Sequence, residues 1–311
     1  RGRPMNMIVP FKPGSPGLLR KVKRLVHFIL TVETHNFPTG IAPYPGAATG
    51  LGGMLRDLLG TGRAADMLMT GTGYIVDHLH IPGYILPWEE DGWVHPAELA
   101  SALQIIDLAS LGASDYGNCI GIPVTFGCCR SVALTLPDGS RVGKYKPTMT
   151  AAGVGRIDDE HLHKQEPEDG LVALQLGGPA LRVGMGGGAA SSMNQGDNSA
   201  DLDFNAVQRG DAYMEQLVWR VIRACIELGS DNPIVLIHDL GAGGSLNALT
   251  EALLPKGGRI DLRKLPVGDP SLSTLEIWGN EAQERMAILI HPKDIERFMA
   301  ICTREGAPCA V

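Results

Sequence analysis

VETHNFPTGIAPYPGAATGLGGMLRD, residues 32–57, is the stretch whose reading decides the rest of the chain. It leaves an apolar run, Leu25, Val26, Phe28, Ile29 and Leu30, whose length and composition predict a buried strand. Alternate side chains of a strand share a face, so Glu33 and His35 point the same way, with Asn36 at the strand's exit. Gly46, Gly50, Gly52 and Gly53 then fall within eight residues. They predict a loop that approaches a ligand closely or turns its N–H groups inward. Arg56 and Asp57 close the stretch, where a helix is expected to begin. A carboxylate, an imidazole, a Gly-rich loop and an Arg–Asp pair together point to a metal–phosphate site with a general base.

Around that stretch the bulk properties narrow the class. A chain of 311 residues is long enough for two domains with real cores. Hydrophobic content of 44% with 20% charged residues is that of a soluble globular protein. The net charge is −7, and the one concentrated basic run is Arg20, Lys21, Lys23, Arg24, which argues against nucleic acid as the main partner. No apolar run approaches a membrane span and no signal segment opens the chain, so no membrane association is expected. Six cysteines occur without a Cys-x-x-Cys spacing, and Cys128 adjoins Cys129. That pattern suits neither a zinc knuckle nor a disulfide scaffold, and fits a reduced, cytoplasmic setting.

Residues 1–24 carry Pro4, Pro10, Pro13 and Pro16, lack an initiator Met and read as a linker on a piece of something longer. Residues 25–164 read as a first domain and residues 165–311 as a second, divided within the charged segment Asp158–Asp169. In the first, a strand ends at Val76 and a helix is expected from Pro96 to about Leu111, with Leu99, Leu103 and Ile106 on one face. Ser114–Asn118 reads as a polar loop, Pro123–Leu136 as a strand, Pro137-Asp138-Gly139 as a turn, and Met149–Val154 as a further strand. In the second, strands are expected at Leu171–Leu176, Ile234–Ile237 and Arg285–Ile290. Met214–Leu228 has the apolar period of an amphipathic helix whose stripe is core packing. A helix with Leu246, Leu249, Leu253 and Leu254 inward follows the Gly241–Gly244 turn. Helices alternating with strands predict an α/β or α+β fold in two domains.

Several motifs are excluded by their own chemistry. The Gly46–Gly53 segment is no Walker A, since no Gly-Lys-Ser/Thr ends it, and no dinucleotide fingerprint, since Leu55 takes the third glycine position. Asp201, Asp203 and Asn205 open like a calcium loop, but Ala206 and Ala212 stand where its Gly and Glu belong. His78, His80, His161 and His163 have metal-compatible spacing without a partner carboxylate pattern. Glu33, Asp57 and Asp239 each end a strand or a Gly-rich segment, and their hard oxygens suit magnesium carrying a nucleotide.

ETHNFPTG followed by PGAATGLGGMLRD resembles the synthetase half of the phosphoribosylformylglycinamidine synthases. The resemblance continues through GRAA, GASDYGN, LGGPALRVGMGGGAASS, SADLDFNAVQRGD, HDLGAGG and LEIWGNEAQERM, from about Leu25 to the end. It implies an aminoimidazole-ribonucleotide-synthetase-like superfold. It also implies ATP-dependent conversion of formylglycinamide ribonucleotide to the amidine, with ammonia from a glutaminase, in purine biosynthesis. By the same resemblance His35 is the general base, and Glu33, Asp57 and Asp239 bind Mg2+. Gly46, Ala47, Ala48, Thr49, Gly50, Leu51, Gly52, Gly53, Met54, Leu55, Arg56 and Asp57 contact ATP. Thr34, Asn36, Arg56, Gln208, Glu281 and Gln283 contact the substrate. The chain departs from the pattern at Thr31, where the family has a nucleotide-binding Lys, and at Ala282 of the Glu-x-Gln triplet. The second synthetase half and the glutaminase's Gly-x-Cys-x-Gly elbow are missing, so the site is expected to be completed by that second half or by a homodimer partner. The alternative is a homologue that has lost catalysis and serves as a binding or regulatory module. A sister synthetase of the same superfold is argued against by ETHNFP and NEAQERM.

Overall fold

A computed structural model describes residues 2–11, 17–89, 94–194 and 197–311. The chain opens with β1 (Arg3–Pro10), β2 (Leu19–Thr34), α1 (Asn36–Ile41), α2 (Pro43–Leu59) and β3 (Asp66–Val76). It continues through α3 (Ala102–Ile120), β4 (Val124–Ser131), the hairpin β5 (Ala133–Thr135) and β6 (Arg141–Gly143), and β7 (Thr148–Asp158). The second part holds β8 (Val172–Gly177), α4 (Gly187–Ser192), α5 (Ala200–Ala206), α6 (Ala212–Glu227), β9 (Ile234–Asp239) and α7 (Gly244–Ala252). It ends with α8 (Thr274–Gly279), β10 (Arg285–Ile290), α9 (Ile295–Glu305) and β11 (Cys309–Ala310).

The first sheet runs β1-β2-β7-β3-β4, antiparallel except for the parallel β3–β4 pair, and the second runs β11-β8-β10-β9. This is the mixed α/β arrangement that the alternation of elements predicts. The two sheets share one continuous core: Leu51, Met54 and Leu55 of α2 and Ile105 of α3 pack with Val218 and Ile222 of α6 and Ile288 of β10.

The elements around α2 depart from the sequence reading. Residues 1–24 are not a linker throughout, because β1 pairs with the start of β2 in register from Arg3↔Val26 to Pro10↔Leu19. The apolar run of β2 is not buried throughout: Val26 is fully enclosed, whereas Phe28, Leu30 and Val32, further along the same face, are 54–71% exposed. The Gly-rich segment is the body of α2 rather than a loop. Its glycines serve close packing. A Cβ on Gly46 would collide with the Pro38 backbone, one on Gly50 would lie 2.7 Å from His35 Cβ, and one on Gly52 would lie 2.5 Å from Tyr116 Oη. Each helical glycine costs about 1 kcal/mol relative to Ala. Burial of Leu51, Met54, Leu55, Leu58 and Leu59 offsets that.

The next helix is also displaced. α3 begins at the N-cap Ser101, in a capping box with Gln104, and runs through Ser114–Asn118, the expected loop. Ile105, Ala109, Ala113 and Tyr116 face inward, and the chain leaves the helix at Gly121 with φ 86°. In α7 the buried positions are Ala248, Leu249 and Ala252, while Leu246 and Leu254 are exposed.

Candidate active site

A cavity of about 450 Å³ lies between the two parts of the chain. One wall is the exit of β2 with α1 and α2, contributing Glu33, Thr34, His35, Asn36, Thr49, Gly50, Gly53, Met54, Arg56 and Asp57. The other brings Gly187, Gly188, Ser191, Gln208, Asp239 and Gln283. The structure thus draws together most of the residues singled out in sequence, across separations of up to about 250 positions. Seven do not reach the cavity. Gly46, Ala47, Ala48, Leu51, Gly52 and Leu55 lie on buried faces of α2, because the segment is helical and shows one side alone. Glu281 sits one layer behind, 3% exposed.

His35 is the N-cap residue of α1, tied by its N–H to the Met149 carbonyl at 2.9 Å. Its Nδ1 is 2.6 Å from the carbonyl of Gly46, an obligate acceptor, so that nitrogen carries the proton. Nε2 then bears the lone pair of the neutral ring and lies 3.3 Å from Gln208 Oε1. Burial pushes the imidazole below its ordinary pKa, against the opposing effect of the Gly46 and Gln208 contacts. Gln208 is itself oriented: its amide donates to Glu281 Oε2 at 2.6 Å. The other Glu281 oxygen accepts from the N–H groups of Gly243 and Gly188 at 3.1 and 3.3 Å.

Asp57 lies at the C-terminal end of α2, with Glu33 and Asp239 as its negative neighbours. Burial, and then the charges of Asp239 and Glu33, push its carboxyl up to about 7. Carboxylates that repel one another in a partly dry cleft are a donor set for a hard divalent cation. Among the described residues no three His, Cys, Asp or Glu side chains converge closely enough to enclose an ion unaided.

Arg56 lines the cavity, yet its side chain is fully buried: both Nη groups are engaged inside the protein, and Nε has no hydrogen-bond partner among the described residues. Nη1 donates to Glu215 Oε2 at 2.7 Å and lies 3.6 Å from Glu284 Oε1, and Nη2 donates to Gln283. Tyr116 Oη lies 2.5 Å from Glu215 and 2.7 Å from Glu284. Sequence reasoning missed Tyr116, Glu215 and Glu284. The available signal was Glu215, a carboxylate on the same helical stripe as Val218 and Ile222.

Residues 166–311 match the model of the AIR synthase related protein, C-terminal domain. Over all 311 residues the chain is 50% identical to a probable phosphoribosylformylglycinamidine synthase, chloroplastic/mitochondrial, of Arabidopsis thaliana, of which it spans 22%. Over 309 residues, 99% of the chain, it is 46% identical to the phosphoribosylformylglycinamidine synthase of Homo sapiens, of which it spans 23%. The chain belongs to the phosphoribosylformylglycinamidine synthase family. It spans less than a quarter of the length of these curated relatives.

Solved structures agree on the fold. Thermotoga maritima PurL complexed with FGAR superposes with a TM-score of 0.73 at 27% identity, covering 92% of this chain and 41% of that one. The same protein complexed with ATP gives 0.67 at 25% identity, covering 91% and 39%. The hydrogenase maturation protein HypE, 16% identical with a TM-score of 0.54, shares the fold alone. Like these relatives, the synthase segment described here is an AIR-synthase-like α/β unit. Among its described residues, no helix is long and apolar enough to cross a membrane.

Proposed function

We propose that this chain is the first synthetase half of a phosphoribosylformylglycinamidine synthase. The reaction is ATP-dependent amidation of formylglycinamide ribonucleotide, with ammonia drawn from glutamine by a glutaminase elsewhere. The carrying observation is the cavity in which His35, beside Glu33 and Asp57 on one wall, faces Gln208 and Asp239 on the other. FGAR and ATP, with which Thermotoga maritima PurL is complexed, are the two reactants this reading needs.

In this reading the substrate's amide oxygen attacks the γ-phosphorus of ATP and ADP leaves. Ammonia then adds to the activated carbon, phosphate departs with that oxygen, and an amidine remains. His35 takes the proton that the adding ammonia must shed, at Nε2, and Gln208 Oε1 stands ready to accept a hydrogen bond from the charged ring. Thr34, Asn36, Gln208 and Gln283 position the substrate; Glu281 acts by orienting Gln208. Thr49, Gly50, Gly53 and Met54 present the open side of α2 to the nucleotide. Glu33, Asp57 and Asp239 would hold Mg2+, which supplies neutralisation of phosphate charge.

The reading divides the chain into a synthetase N-type domain, residues 25–164, and a C-type domain, residues 165–311. A second half or a second copy is placed against the exposed face of the first sheet. All six cysteines are free, which fits the reduced, cytoplasmic setting proposed here.

The test is ADP formation by the full-length parent, dependent on formylglycinamide ribonucleotide and fed with ammonium ion in place of glutamine. Loss of that activity in His35→Ala supports the reading; its absence from the wild-type parent refutes it. Thr31 in place of a nucleotide-binding Lys, and the sequestered Arg56, favour the second reading of a binding module. That reading predicts ligand binding without turnover in the same assay.

A further inference from the structure

The charges around the cavity are unevenly matched. Glu33, Asp57 and Asp239 are its acidic lining, and Arg56 and Lys146 its permanent cations. Arg56 is already committed to Glu215 and Gln283. Position 31 is Thr31, held within the sheet opposite Gly153. Lys146 is different. Its Nζ donates to the carbonyl of Ser191 at 3.1 Å and stands 5.7 Å from the centre of the Phe37 ring. A neutral carbonyl and a ring face leave an ammonium with donors to spare and, among the described residues, no carboxylate paired with its charge.

Its placement is built rather than incidental. Pro147, the next residue, is buried against Gly40, where a Cβ would lie 2.9 Å from Pro147 Cδ. Two residues further, the Met149 N–H donates to Asn36 Oδ1 at 2.9 Å and its carbonyl accepts from the His35 N–H at 2.9 Å. The lysine is thereby fixed to the turn that carries the proposed base.

The geometry points to Lys146 as the cation that receives the phosphate monoester of the ribonucleotide substrate, on the wall formed by Phe37 and Ser191. The triphosphate of ATP falls instead to the metal-binding carboxylates. This inference rests on the proposed function, because it assigns one group of that reaction's substrate. A compact ammonium on a flexible four-carbon stem binds a phosphate as a point charge, without the planar match an Arg requires.

The test is calorimetric titration of the 311-residue chain with ribose 5-phosphate, and separately with Mg–ATP, in wild type, Lys146→Met and Lys146→Arg. Lys146→Met should weaken ribose 5-phosphate by about 10- to 100-fold, the range for one charge-assisted hydrogen bond, with Mg–ATP unchanged. Lys146→Arg should restore most of the binding. Thermal denaturation of each variant separates lost binding from lost folding. Undiminished ribose 5-phosphate binding in Lys146→Met would overturn the inference, as would equal loss of Mg–ATP. Wild type that ignores ribose 5-phosphate at millimolar concentration would overturn it too. Ammonia-dependent ADP formation is read on the wild-type parent, independently of these titrations, so the two proposals fail separately.

Discussion

The guanidinium of Arg56 on α2 donates to the carboxylate of Glu215 on α6 at 2.7 Å, where both side chains are at most 1% exposed. The pair joins the two parts of the chain at the floor of the cavity. Glu284, held with φ at 59°, brings a second carboxyl to the same spot. The one hydroxyl proton of Tyr116 cannot serve both of its 2.5 and 2.7 Å contacts as donor, so one carboxyl must carry a proton. Burial raises the pKa of both carboxyls, that of Glu215 to about 7; Glu284, 3.6 Å from Arg56 against 2.7 Å for Glu215, has the weaker hold on the cation and is assigned the proton.

Arg56→Met and Glu284→Gln should therefore differ. The first leaves Glu215 buried without its cation and should cost about 3–5 kcal/mol of stability. The second replaces a neutral acid by a neutral amide of the same shape and should cost about 1 kcal/mol or less. Urea denaturation of both variants measures this; equal losses would mean that Glu284 is ionised.

Asp57 makes stability depend on pH with a definite sign. Its folded carboxyl titrates at about 7, above the ordinary value of 3.8, so the folded state holds the proton more tightly than the unfolded chain. That contribution is complete at acidic pH below the ordinary value and is lost as pH rises toward 7. Without metal, Asp57→Asn should be more stable than wild type at pH 8 and lose that advantage at mildly acidic pH. Magnesium at millimolar concentration should raise the wild-type melting temperature at pH 8 and leave Asp57→Asn unmoved. A melting curve series over pH decides it; an advantage that grows on acidification would contradict the assignment.

The roles of His35 and Asp57 should separate in the full-length parent. His35→Ala should lower kcat by about 10² or more with nucleotide affinity nearly unchanged. Asp57→Asn should weaken Mg–ATP binding first. Gly50→Ala should imitate His35→Ala in milder form, since the new methyl would lie 2.7 Å from His35 Cβ. Nucleotide titration beside initial-rate measurement tests all three. Loss of ATP binding in His35→Ala with full turnover in Asp57→Asn would reverse the roles.

The exposed apolar face of β2 predicts self-association. Phe28, Leu30 and Val32 stand 54–71% exposed, and Phe126 of β4 is 51% exposed on the same sheet. Such a surface marks an interface. Leu30→Glu should shift sedimentation of the chain toward monomer at tens of micromolar. A wild-type chain that is already monomeric there would count against the interface.

How much was legible in sequence depended on the kind of signal. β10 was read with its bounds, Arg285–Ile290, and α6 within two residues, because period and composition agree there. α2 was misread because clustered glycines usually mean conformational freedom. Here they mean missing side chains, and only the nearness of Pro38, His35 and Tyr116 reveals which. Tyr116 was lost with α3, whose Ser101–Gln104 capping box marks its start more truly than Pro96 does. Glu33, His35, Asp57 and Asp239, which the structure gathers at one cavity, stood out in sequence because carboxylates and imidazoles at strand exits are conspicuous. Lys146 was not, since a lysine before a proline carries no local mark.

The core that runs from Leu51 through Val218 to Ile288 ties the two walls of the cavity together beneath it. Swinging those walls apart would expose Met54, Leu55 and Ile222 to water, a cost in apolar burial that opposes admission of ligands by domain opening. The site is a seam, shaped before anything enters it. Its occupants must come and go through the mouth, and the protein spends little of their binding energy on closing around them.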